Sequence, residues 1–267
     1  MKVYNSVSEA YLGSLEDVIS NPDFQSAPRG QKVKEKLDYT FRVLNPSSEP
    51  IVTKDLERNK VIETYTLKEF DLYNSCTNLA EDFGKASKFW LNLANPDGTV
   101  NSAYGYLIWK NASHGSSFEK ESVYISPPRF EGDGSISELK PVKRTPWQWC
   151  VEALKRDKDT RQAVLRFSLP EHFWMGNKDQ TCTLHGNFLI REDKLHFSVV
   201  MRSNDLTLGL VYDLPWFCSL MDKMVLELKT QYPNLTKGSY THTVHSIHVY
   251  ERDEERVKKM LGWYDSL

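Results

Sequence analysis

Hydrophobic positions along the chain change period several times, and each change marks an element. Val3, Val7, Leu12, Leu15 and Val18 recur near helical spacing and predict a first helix. "SAPRGQKVKEK" (26–36) is basic and contains Gly and Pro, so it reads as a loop, and "LDYTFRVL" follows as a strand. From Tyr65 to Leu93 the pattern is mostly helical, with one basic, Gly-containing break near Gly84. Residues 111–145 are polar and rich in Ser, Gly and Pro, which predicts a long surface insertion serving as a lid or a partner surface. Helix resumes at "TPWQWCVEALKRD", where Thr145 is placed to cap and Pro146 suits the first turn.

The period then shortens to two. "RQAVLRFSL" (161–169) reads as a strand, and "CTLHGNFLI" and "KLHFSVVMR" flank a turn as the arms of a hairpin. In the second arm Leu195, Phe197, Val199 and Met201 share one face, and His196, Ser198, Val200 and Arg202 share the other. Helical spacing returns from about Leu214 to Leu228 (Phe217, Leu220, Met221, Met224, Val225, Leu228). A last strand, "THTVHSIHVY", precedes a charged C-terminal helix. This order predicts an α+β fold, a large sheet packed against long helices, in one domain over 1–267 that carries the insertion at about 111–145.

Composition narrows the function classes. The chain has 267 residues, 40% of them hydrophobic, which is ample for an independent core, and its net charge of −2 gives no reason to expect nucleic acid or an anionic membrane as partner. No apolar run reaches the roughly 18 residues of a membrane span. The first twenty residues carry acids and no continuous apolar stretch, so no secretion signal is expected. Cys76, Cys150, Cys182 and Cys218 are scattered without a C-x-x-C pair, so a reducing cytoplasm fits better than a disulfide or zinc framework.

Several residues have both a structural and a chemical reading. Cys182 opens the hairpin; it is either a small buried hydrophobe or a nucleophile, and the difference lies in whether a nearby cation lowers its pKa. Arg202, at the far end of the paired strand, is the candidate cation. Asp213 stands just before the predicted helix, with Pro215 two places on, and so reads as an N-cap; Asp205 likewise suits a turn cap. Glu69 lies in a charged helix, where a solvated face is the ordinary explanation. Arg29, Arg161 and Arg202 are surface charges taken singly and suit a phosphate taken together. "HTVHSIHVY" would gather His242, His245 and His248 near one face only if helical. Its β-branched content favours a strand, which breaks a metal cluster and aims Ser246, His248 and Tyr250 to one side, suited to sugar hydroxyls.

Together these segments resemble the thymidylate synthase superfamily, above all its deoxycytidylate hydroxymethylase branch from T-even-type bacteriophages. The resemblance covers roughly 60–110 and 145–255 and runs through separate motifs in the family's order. "YTLKEFDLY" is similar to the helix bearing the catalytic glutamate, here Glu69, and "VNSAYGYLIW" to the Tyr-Gly segment, placing Tyr104 at the pocket. "QTCTLHGNFLI" resembles the nucleophile strand, with Thr183 where synthases usually have histidine. "MRSNDLTLGLVYD" resembles the Arg-Ser-x-Asp…Leu-Gly…Asn segment, and "IHVY" the His-x-Tyr pair that holds the ribose. The telling departure is Asp213, where synthases carry asparagine. An amide complements O4 and N3–H of uracil; a carboxyl accepts from the cytosine amino group and, when protonated, donates to N3.

The resemblance implies a thymidylate synthase-like fold whose sheet face forms a homodimer interface. It also implies C5 hydroxymethyl transfer from 5,10-methylenetetrahydrofolate to dCMP. Cys182 would add to C6, and Glu69 would order water and move protons. Arg202, Ser203 and Arg29 would bind phosphate, with Arg161 from the second subunit, and His248 and Tyr250 would hold the ribose. Trp90, Asp205, Leu208 and Gly209 would form the folate site. Where the family usually has two adjacent arginines this chain has Arg161-Gln162. The alternatives are the same chemistry on CMP, a methyl product with dCMP methyltransferase or thymidylate synthase-like activity, a thiol hydrolase pairing Cys182 with His185 or His245, and an inactive nucleotide-binding protein.

Overall fold

The computed structural model describes residues 1–111, 124–125, 141–142 and 144–263. The strands are β1 (Lys2–Tyr4), β2 (Phe24–Ser26), β3 (Val33–Val43), β4 (Tyr124–Ile125), β5 (Pro141–Val142), β6 (Val164–Arg166), β7 (Thr183–Arg191), β8 (Lys194–Met201), β9 (Asn204–Asp205) and β10 (Thr236–Tyr250). The helices are α1 (Val7–Ser20), α2 (Leu56–Ser75), α3 (Ala80–Ala86), α4 (Tyr104–Trp109), α5 (Pro146–Arg156), α6 (Val211–Leu228) and α7 (Glu254–Leu261). Among the described residues a mixed sheet runs β1–β3–β10–β8–β7–β6, with β2 paired to β3 and β9 to β10. The expected insertion at 111–145 lies mostly outside the described residues; its described part includes the short antiparallel pair β4–β5.

The period-2 pattern fixes which face of the sheet is covered. Leu195, Phe197, Val199 and Met201 are all buried, and on β7 Phe188 stacks on Phe197 at 4.1 Å between ring centroids. The helix α6 crosses this face and is buried on most sides, with Trp216 and Phe217 fully enclosed. The other face keeps His196, Ser198, Val200, Thr241 and Thr243 half-exposed.

Four boundaries differ from the sequence expectation, each for a local reason. The basic loop contributes its end to β3, because Val33–Lys36 pair with Ile247–Tyr250 of β10 and Lys34 meets Glu254 at 2.9 Å. The helix expected from Tyr65 starts at Leu56, capped by the Asp55 side chain on Arg58 N. It breaks after Ser75 rather than near Gly84: Cys76 takes a left-handed conformation (φ 56°), and Gly84 lies inside α3 with Leu91 against it. Finally, α6 starts at Val211, after a π-helical turn over Leu206–Leu210, rather than at Leu214. Asp213 is therefore inside the helix, and its N-cap reading is corrected. The capping is done by Asp205, whose Oδ1 accepts from Thr207 N (2.7 Å) and Thr207 Oγ1 (2.9 Å).

The helices α2 and α4 cross closely enough that a Cβ on Gly105 would lie 1.7 Å from Tyr73 O. This crossing stacks Tyr104 on Tyr73 (5.3 Å, 19°). Overpacking against a backbone carbonyl cannot be relieved by a rotamer change, so Gly105→Ala is expected to destabilise the protein by about 3 kcal/mol or more in urea unfolding. A loss below about 1 kcal/mol, the size of an ordinary surface change, would contradict the close crossing.

Candidate active site

Cys182 lies one residue before β7, where its carbonyl accepts from Arg202 N (2.9 Å) at the end of β8. A hairpin joins its first residue to its last, so Arg202 is beside Cys182, and Nη2 lies 3.4 Å from Sγ. The guanidinium is fixed there because Nε donates to Thr181 O (3.1 Å) and Nη2 to Gln180 O. Burial pushes the Cys182 thiol up; Arg202, and more weakly Arg29, pull it back, while Asp213 and Asp179 push it further up. The thiolate is therefore favoured by whatever neutralises the nearby carboxyls or adds positive charge.

Across from the thiol, α4 and α2 supply hydroxyls and an acid. Thr183 Oγ1 donates to Tyr104 OH at 2.8 Å in the core. Glu69 is buried on α2 rather than on a solvated face. Tyr65, Glu69 and Tyr73 recur every four residues along one helix face, a signal present in the sequence but hidden among charged neighbours. Burial pushes Glu69 up to about 8, aided by the negative charge of Asp213; hydrogen bonds from Tyr73 and Tyr65 oppose it. Trp90 Nε1 donates to Tyr65 OH (3.0 Å), which ties the candidate folate wall to the same helix face.

Asp213 is also enclosed. Burial pushes its carboxyl up to about 7, against the donation of Asn204 Nδ2 to Oδ2 at 2.8 Å, and Asp205 adds to the rise. A hydrogen bond to a charged group contributes roughly 1.5–3 kcal/mol. Burying an unpaired ion costs several kcal/mol, so the neutral acid is competitive near neutrality. Asn204, to which sequence reasoning gave no role, is thus the direct partner of the residue that departs most tellingly from the family pattern.

The other predicted residues separate into near and far. On β10, His248 pairs in register with Asp205 and meets Tyr250 edge to face at 5.2 Å, while Ser246 is committed to Glu35 Oε2 (2.7 Å). Arg29 is exposed, with φ 52°, and its charge reaches both Cys182 and Tyr250. Ser203 is half-buried next to Arg202, Leu208 is exposed, and Gly209 lies between Asn204 and Asp213. Arg161 is distant: Val164 pairs with Asn187, so Arg161 lies on the order of 20 Å along β7 from Cys182. The histidines do not cluster: His242 is buried on Tyr240 OH, and His245 is exposed on Asp38 (2.9 Å). His185 is exposed opposite Arg166, so neither hydrolase partner sits at Cys182.

Because Asp213 and Glu69 bind protons more tightly when buried, the stability this provides is full below about pH 4, the ordinary carboxyl range. It is lost as pH rises through about 7 and about 8. The stability difference between the wild type and Asp213→Asn, measured by urea unfolding at pH 5.5 and 8.5, is therefore expected to shift in favour of the variant at the higher pH. A difference independent of pH would contradict a buried, proton-binding Asp213.

A family model described as "Thymidylate synthase" matches residues 9–263. The chain is 26% identical over 241 residues to a protein named deoxycytidylate 5-hydroxymethyltransferase from Enterobacteria phage T6, covering 88% of this chain and 82% of the relative. It is 26% identical over 270 residues to the deoxyuridylate hydroxymethyltransferase of Bacillus phage SP01, covering 96% of this chain and 61% of that one. The structure of thermostable thymidylate synthase A from Bacillus subtilis superposes with a TM-score of 0.66 at 19% identity, covering 97% of this chain and 84% of the other. With the family model spanning nearly its whole length and the fold shared, the chain belongs to the thymidylate synthase family.

Proposed function

We propose that this chain is a deoxycytidylate hydroxymethyltransferase, converting dCMP and 5,10-methylenetetrahydrofolate to 5-hydroxymethyl-dCMP. The observation that carries this reading is the enclosed carboxyl of Asp213, raised toward neutrality by burial, at the position where synthases carry asparagine. A neutral acid presents one acceptor and one donor side by side, which matches the C4 amino group and bare N3 of cytosine. With its accepting oxygen held opposite C4, the same group meets the O4 lone pairs and the N3–H of uracil, the mismatch that gives discrimination.

The remaining residues then have consistent tasks. The Cys182 thiolate adds to C6 and makes C5 nucleophilic, with Arg202 beside the sulfur. Arg202, Ser203 and Arg29 take the phosphate, and the Arg202 guanidinium is already fixed in place by Thr181 O and Gln180 O. His248 and Tyr250 hold the ribose. Glu69, raised by burial, shuttles protons and orders the water that ends the reaction as hydroxymethyl. Tyr104, held by Thr183, closes the pocket.

The folate supplies the one-carbon unit, and this chain's residues fit it. The Trp90 indole, packed on Phe83 at 4.9 Å, gives an aromatic wall, and Leu208 an exposed apolar one. Asp205 spends Oδ1 on its cap and keeps Oδ2 for the donors of a pterin.

A second copy of the chain completes the phosphate site. The half-exposed outer face of the sheet and the exposed Phe173, Trp174 and Met175 support a homodimer there, and Arg161 is far from its own Cys182 but free to serve the partner's.

The test is product identification by mass after incubation with methylenetetrahydrofolate and dCMP, CMP or dUMP. The expected result is dCMP heavier by one CH2O unit; conversion of dUMP alone would overturn the reading. Cys182→Ser is expected to lower turnover by about three orders of magnitude or more while still binding dCMP. Retained turnover would remove the covalent mechanism.

A further inference from the structure

Asn204 occupies the variable position of the Arg-Ser-x-Asp segment, so the family resemblance gives it no task. It is nonetheless 2% exposed, and among the described residues its side chain is the one hydrogen-bonded to the Asp213 carboxyl. Its Nδ2 donates to Asp213 Oδ2 at 2.8 Å and rests on Met201 Sδ, while its own Oδ1 is buried without a protein partner. The backbone holds it in place: Asn204 pairs with Ile247 in the β9–β10 register, next to His248 and Asp205. Gly209 leaves the room it needs, because a Cβ there would lie 3.1 Å from Asn204 Oδ1 and 3.5 Å from Asp213 Oδ2.

We propose that Asn204 is a positioning residue that fixes Asp213 Oδ2 as the accepting oxygen and leaves Oδ1 to carry the proton, and thereby sets the preference for cytosine over uracil. In a neutral carboxyl group the carbonyl oxygen is the better acceptor, so an amide donor on Oδ2 places the hydroxyl on Oδ1. Oδ2 has two lone pairs: one takes the Asn204 N–H and the other takes an N–H of the cytosine amino group. Oδ1–H then donates to N3. Without Asn204 the carboxyl can rotate or exchange its two ends, and only a fraction of molecules presents the edge that cytosine needs. The inference rests on the cytosine reading of Asp213 for its substrate, and on the Asn204–Asp213 contact for its mechanism.

The test is steady-state kcat and KM for dCMP and for dUMP with methylenetetrahydrofolate, in wild type, Asn204→Ala and the similarly sized Asn204→Leu, with thermal melts to establish folding. Loss of one hydrogen bond to a buried carboxyl is expected to lower kcat/KM for dCMP by about tenfold or more. Turnover of dUMP is expected to change far less, so the preference narrows by a similar factor. Asn204→Leu keeps nearly the volume and removes the donor, so it is expected to narrow the preference as well and provides the reading if Asn204→Ala does not fold. Folded variants in which both substrates fall equally, or in which the preference is unchanged, would overturn the positioning role. A wild type that prefers dUMP would instead overturn the cytosine reading. In that case unchanged dUMP kinetics in the variants would overturn the positioning role too, and slowed dUMP kinetics at unchanged folding would support it alone.

Discussion

The packing of α2 against α6 is the constraint on which the site depends. Tyr65 meets Tyr212 at 4.6 Å and Tyr73 meets Trp216 at 4.6 Å, so two helices lined with aromatic rings close over two carboxyls, Glu69 and Asp213. In water both would be ionised at neutral pH. Enclosed, each is pushed toward neutrality, and each sees the other's charge or that of Asp205. A carboxyl group that holds a proton is a donor as well as an acceptor, and on the proposed reading the order of those two ends, fixed by the Asn204 contact, separates the two pyrimidines. On the proposed reading, the acid that reads the base and the acid that moves protons owe their altered chemistry to the same aromatic seam.

The thiol is governed by an opposing balance. Burial and the two nearby carboxyls hold it protonated; Arg202 and Arg29 act the other way. On the proposed reading a nucleotide phosphate would draw on the same two arginines, and the base would engage Asp213. Binding would thus change the field at the sulfur from both sides, so nucleophile and substrate recognition are not independent parts. The hydrogen bonds of Arg202 to Gln180 O and Thr181 O keep the guanidinium in place before any substrate arrives, which is the preorganisation that electrostatic catalysis requires.

Much of the fold was legible from periodicity. The alternation in β8 assigns the buried face correctly because a strand repeats every two residues, and Thr145 caps α5 as its sequence implies, through the reciprocal bond with Gln148. The approach of Arg202 to Cys182 follows from hairpin register, since the start of one arm must meet the end of the other. What was hidden has physical causes. No local rule predicts that Cys76, without a glycine's freedom, takes the left-handed turn that ends α2. No periodicity marks the π-helical turn at Leu206–Leu210, which moves the start of α6 and puts Asp213 inside a helix instead of at its cap. Burial of Glu69 was masked by charged neighbours on the opposite side of the same helix. Asn204 was missed because its function is a contact with one residue nine places on, through a turn whose shape the sequence does not disclose.

Exchanging the buried acid at Asp213 for an amide tests whether that acid selects cytosine. Asn at this position cannot present a hydroxyl to N3 of cytosine but complements O4 and N3–H of uracil. The measurement is the ratio of kcat/KM for dCMP to that for dUMP in the wild type and in Asp213→Asn. The ratio is expected to fall by about two orders of magnitude or more, with dUMP becoming the better substrate. A ratio that stays on the cytosine side with its magnitude unchanged would contradict selection by that acid.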